Sequence, residues 1–127
     1  MLQIYFAHPV PLPFEKKRRP RWAIEHRWEG AHIIDPEEGE HQVQYAESGM
    51  DYFLEAVIPT CDLVVAMHYS DLSWGSGVWA ELQQALRLGK ETYRVDALGM
   101  IQPYTPIIQK PFTLLTVKET QQRRHNM

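Results

Sequence analysis

The sequence predicts one doubly wound α/β domain, with a five-stranded, mostly parallel sheet and helices on both faces. Three observations carry that expectation. Short apolar runs alternate with amphipathic stretches along the chain, which is the strand–helix rhythm of a parallel sheet. The run Asp62-Leu-Val-Val-Ala-Met67 has little polar alternation, so both of its faces should be covered, as in the middle of such a sheet. The length of 127 residues suits a single domain spanning 1–127.

Residues 2–7 form an apolar, aromatic-rich first strand that Pro9, Pro11 and Pro13 end. Residues 15–29 are charged, with apolar positions at Trp22, Ala23 and Trp28, and predict an amphipathic helix interrupted near Pro20. Gly30 introduces a second strand, Ala31 to Ile34, which Asp35-Pro36 stops. Met50, Phe53, Leu54, Val57 and Ile58 recur at helical spacing within a helix over 46–60, closed by Pro59. After the third strand, a loop from His68 to Gly75 leads to a helix from about Ser76 to Leu88, with Ser76 as its expected N-cap. Glu91 to Val95 is the fourth strand, and Phe112 to Val117 the expected fifth. The polar tail, 118–127, is expected to fray. This order is that of a flavodoxin-like or Rossmann-like domain. Its ligands bind at the carboxyl ends of the strands, here the loops after Ala7, Ile34, Met67 and Val95.

Composition narrows the function. With 44% hydrophobic and 23% charged residues, neither a disordered nor a fibrous protein is expected. The net charge of −3 argues against a nucleic-acid polymer as partner. No apolar run approaches the roughly 18 residues of a membrane span, and the first residues do not read as a secretory leader. Cys61 is the only cysteine, which excludes an intrachain disulfide; it reads as a small core residue, and a cytoplasmic protein is expected. Charge is unevenly spread. Residues 15–27 hold six of the thirteen basic residues, whereas 35–55 hold seven acids and no Lys or Arg. Such neighbours suit a small ligand with a phosphate and a sugar, or are simply two solvated faces.

The most informative stretch runs from Gly75 to Lys90. Gly75, Ser76 and Gly77 let a ligand approach the backbone at a helix start. Glu81 falls in the second turn, where the helix's positive end should favour its ionised form, as a carboxylate nucleophile requires. The alternative is an ordinary solvent-facing glutamate. Gly75-x-Gly77-x-x-Ala80 with Asp96 also fits a dinucleotide fingerprint, but about seven loop residues separate it from its strand and too little chain follows. The six histidines lack ligand spacing, so neither a metal nor another cofactor is expected.

Four features, in order, resemble the nucleoside 2-deoxyribosyltransferase superfamily, which includes the 2′-deoxynucleoside 5′-phosphate N-hydrolases. They are Ile4-Tyr5-Phe6-Ala7-His8-Pro9, Ile33-Ile34-Asp35-Pro36, Cys61-Asp62-Leu-Val-Val-Ala66, and Gly77-Val-Trp-Ala-Glu81-Leu followed by Ala85 and Gly89-Lys90. The resemblance covers residues 4–95. It implies retaining glycosyl transfer, with Glu81 attacking C1′ of a nucleoside or nucleoside 5′-monophosphate and Tyr5 beside it. It also implies that His8, Pro9 and Asp35 contact substrate at the strand ends. The family's helix aspartate is Leu54 here, with Asp51 and Glu55 as nearby substitutes. Its acid or serine six residues before the nucleophile is Gly75, near Asp71, Ser73 and Ser76. Lys16 and Arg19 lie where phosphate-recognising members hold the 5′-phosphate. A homodimer or larger homo-oligomer with shared sites is implied too, with segment 97–111 reaching the neighbour. A nucleotide-binding or sensing module that kept the fold and lost the chemistry is the alternative.

Overall fold

A computed structural model describes residues 1–104 and 115–125. The strands are β1 (Gln3–Ala7), β2 (His32–Ile34), β3 (Leu63–Met67), β4 (Glu91–Val95) and β5 (Ile101–Pro103). The helices are α1 (Phe14–Arg27), α2 (His41–Ser48), α3 (Ser76–Arg87) and α4 (Val117–His125). A wide π-type turn, Tyr52–Val57, and a tight 3₁₀ turn, Ile58–Thr60, connect α2 towards β3.

The sheet order is β2-β1-β3-β4-β5, parallel throughout except for the β4–β5 pair. All five residues of β3 are buried, as its uninterrupted apolar run demands. Strand alternation sorts the core into two layers. Tyr5, Ala7, Val64 and Ala66 pack with Phe53 and Leu82 on one face. Ile4, Phe6, Leu63 and Val65 pack with Ile24 of α1 on the other. This is the Rossmann-like α/β sheet that the sequence predicts. Among the described residues, no helix is long and apolar enough to cross a membrane.

Several element boundaries differ from expectation. Pro20 does not interrupt α1, because it and Ile24 are buried and hold the helix together across the missing N–H. The helix expected over 46–60 is broken at Gly49, whose φ of 66° ends α2. The fifth strand is Ile101–Pro103, antiparallel to β4. Asp96 accepts the N–H groups of Leu98 and Met100, each at 2.9 Å, and Gly99 (φ 88°) closes a hairpin too short for a crossover. Of the strand expected at 112–117, residues 112–114 lie outside the described residues, Leu115 and Thr116 are irregular, and Val117 begins α4. Residues 105–111 of the segment expected to reach a neighbour also lie outside them. The tail expected to fray is helical through His125, because it is tied to α3.

Candidate active site

The odd positions of β1 point to the same sheet face as α3, and the 3.6-residue period turns Val78, Glu81, Leu82 and Ala85 inward to meet them. Glu81 therefore lies on the buried face of its helix, 4% exposed, above a fully buried Tyr5. The Tyr5 hydroxyl donates a short hydrogen bond to Glu81 Oε2. Burial, opposed only by that hydrogen bond, pushes the Glu81 carboxyl up to about 8. The helix's positive end alone would favour an ionised Glu81, whereas burial shifts its carboxyl the other way. Burial and the neighbouring carboxyl push the Tyr5 phenol well above its ordinary range, so it remains a donor.

The pair lies in the floor of a cavity of about 460 Å³, within the ordinary range for a small-molecule site. Tyr45, Phe53 and Tyr69 supply aromatic wall, and the loop residues His8 and Pro9 line another side. Gly75, Ser76 and Gly77 open the α3 start to it, as their small size suggests.

A second buried carboxylate stands behind His8. The His8 Nδ1 lies 2.7 Å from the Pro9 carbonyl and Nε2 lies 2.8 Å from Asp35 Oδ1. Both ring nitrogens thus face oxygen atoms, which fixes the ring's orientation at the cavity. Asp35 Oδ1 also accepts the Glu37 N–H at 2.9 Å. Asp35 Oδ2 meets Lys17 Nζ at 3.0 Å and Arg21 Nη1 at 3.2 Å. Burial alone would raise the Asp35 carboxyl, but His8, the Glu37 amide and Lys17 hold it well below the usual carboxylate range. His8, Asp35 and Glu37 have the donor types and proximity to hold a metal ion. Lys17 Nζ, 2.8 Å from Glu37 and 3.0 Å from Asp35, already sets a positive charge against those two carboxylates.

The expected residues divide cleanly. Tyr5, His8, Pro9, Gly75, Ser76, Gly77 and Glu81 all line one cavity, although they come from β1, α3 and the loops that follow β1 and precede α3. Asp35 supports His8 from behind it. Asp51 and Glu55 do not substitute for the missing helix aspartate. They are exposed, because Phe53 and Val57 take the inward positions two residues along from each. Asp71 and Ser73 bond one another, Ser73 Oγ donating to Asp71 Oδ1 at 2.6 Å, and shape the loop instead of the cavity. Lys16 and Arg19 are exposed on α1 and do not reach the cavity. Ser76 is not an N-cap: Gly75 holds that place and α3 has no cap from its own first residues. Trp74 is fully buried core, and Cys61 is buried with its thiol directed at the Ile58 carbonyl. Sequence reasoning missed Gln42, Tyr45, Thr120 and Gln121, which belong to α2 and α4. The spacing of Val117, Thr120 and Gln121 at i, i+3 and i+4 was the available signal for the last two. Comparison of the chain with protein-family models, with curated proteins and with solved structures finds no match.

Proposed function

We propose that the chain cleaves or transfers the N-glycosidic bond of a nucleoside through a covalent glycosyl–Glu81 intermediate. The observation that carries this reading is a buried carboxyl, hydrogen-bonded by Tyr5, in the floor of an aromatic-lined cavity at the strand ends. Glu81 reacts as the carboxylate. Because burial raises its carboxyl, only a minor share of the molecules holds that form at neutral pH, and the share grows as pH rises. One carboxylate oxygen forms a bond to C1′ as the C1′–N bond breaks, and the electron pair leaves with the base, which takes a proton from solvent. Water, or a second base in a transferase, then attacks C1′ and gives up a proton to solvent as the ester C1′–O bond breaks and the Glu81 carboxylate is regenerated. Tyr5 steadies the carboxylate that results and orients its free oxygen. The ordered resemblance across residues 4–95 supports the same chemistry, and with it a homo-oligomer, whose size sedimentation measures; the lone cysteine suits a cytoplasmic setting.

A free nucleoside fits better than a 5′-monophosphate. Lys17 and Arg21, the cations nearest the His8 wall, are committed to Asp35, Glu37 and Glu38. Three carboxylates already face those two cations, which leaves no surplus positive charge for a phosphate, whose desolvation is costly when unpaired.

The test is release of free base from a panel of ribo- and deoxyribonucleosides and their 5′-monophosphates, run beside Glu81→Ala. Release that vanishes in the variant supports the mechanism; release that persists defeats it. A second reading, a nucleoside-binding module without chemistry, is favoured by the absence of Asp51 and Glu55 from the cavity wall. Thermal stabilisation by nucleosides with no base release would select it.

A further inference from the structure

Helix α4 folds back over the start of α3. The Leu115 N–H donates to the Trp74 carbonyl at 2.9 Å, and the Ser76 N–H donates to Thr120 Oγ1 at 3.1 Å. The Thr120 hydroxyl in turn donates to the Thr116 carbonyl at 2.8 Å. Thr120, 44 residues along the chain from Ser76, therefore supplies the acceptor that α3 lacks at its own N-cap. That link seats one side of α4 against the Glu81 cavity, where Val117, Thr120 and Gln121 line it together.

Most polar groups on this wall are already engaged. Tyr5 bonds Glu81, and His8 faces Pro9 and Asp35. The Gln42 amide nitrogen donates to the Pro36 carbonyl at 2.7 Å. Gln121 is exposed at the cavity, and its amide has no hydrogen-bond partner among the described residues. A free primary amide offers a donor and an acceptor side by side.

We infer, resting on the nucleoside reading above, that Gln121 sets base preference by pairing with a base edge that places a donor beside an acceptor. A 6-aminopurine does so at N6 and N7. Thr120 is the positioning residue that holds Gln121 there.

Binding is measured by calorimetry on the Glu81→Gln protein, so that glycosidic-bond lability does not enter. The probes are deoxyadenosine, its 7-deaza analogue and the purine deoxyriboside lacking the 6-amino group. Deoxyadenosine should bind about tenfold more tightly than either analogue. Adding Gln121→Leu should weaken deoxyadenosine alone and bring the ratio near one. Thr120→Val should reduce the same ratio and speed hydrogen exchange at the Ser76 amide, and Thr120→Ser should restore both. A ratio that survives Gln121→Leu, or three ligands that weaken together, overturns the inference. Nucleosides that bind without discrimination sink the Gln121 inference alone, whereas no binding by any nucleoside sinks the nucleoside reading as well.

Discussion

Two buried acids, one in the cavity floor and one behind its His8 wall, behave in opposite ways. Glu81 has only a phenol for company, and burial drives its carboxyl up to about 8. Asp35 is just as inaccessible, yet His8, the Glu37 amide and Lys17 drive it down, with Arg21 alongside. Both are closed to solvent, but Glu81 is the more deeply enclosed and has no cation beside it, so enclosure and partners together set the charge. The Asp35 cluster ties the loops after β1 and β2 to α1 and stiffens the cavity's side. The Glu81 floor keeps a carboxyl whose charge is not committed to any cation. One acid holds architecture, the other holds reactivity.

The sharpest way to break this contrast is at the floor. Glu81→Gln should lower base release by at least about 10³-fold, measured as kcat/KM. The same variant exposes a linkage effect. Between pH 4.5 and about 8 the unfolded chain has lost the Glu81 proton that the folded chain keeps. Stability should therefore fall as pH rises, by about 1.4 kcal/mol per pH unit from this group, levelling above about 8. In denaturant titrations across that range, Glu81→Gln should lack this slope and be the more stable protein at pH 8. Asp35 works in the other direction: its stabilisation is present above its ordinary value of 3.8 and disappears as pH falls below it. Asp35→Asn, which leaves His8, Lys17 and Arg21 without their shared anion, should cost about 3 kcal/mol in the same titrations. Tyr5→Phe should cost about 1 kcal/mol. Because the Tyr5 hydrogen bond lowers the Glu81 carboxyl, its loss should also move the acid limb of the activity profile to higher pH. Smallest of all, Lys16→Ala and Arg19→Ala should change neither base release nor stability by more than about 0.5 kcal/mol. A loss confined to 5′-monophosphates would return those residues to phosphate binding.

Local signals served well where one element decides the outcome. The unbroken apolar run of β3, the amphipathic face of α3 and the prolines after β1 predict their elements closely. Glu81 is a candidate from its place at the α3 start, and Tyr5 and His8 through the ordered resemblance; the sheet brings all three to one cavity. What escaped depends on contacts between distant segments. Glu81 reads as ionised from its own helix, and only the sheet beneath it reveals the desolvation. Asp51 and Glu55 read as substitutes for a missing acid until the wide turn at Tyr52–Val57 sends them outward. Residues 117–125 are too polar to predict a helix; Thr120's contact with Ser76 secures one.

That contact has a consequence for how the protein is made. On the ribosome, β1, β3 and α3 all emerge before α4, and the sheet can begin to pair before α4 is synthesised. The α3 start then stays uncapped until Thr120 arrives, 44 residues behind Ser76. A nascent chain stalled before α4 would carry Tyr5 and Glu81 beneath an unfinished wall, so the cavity should be completed only once α4 has docked.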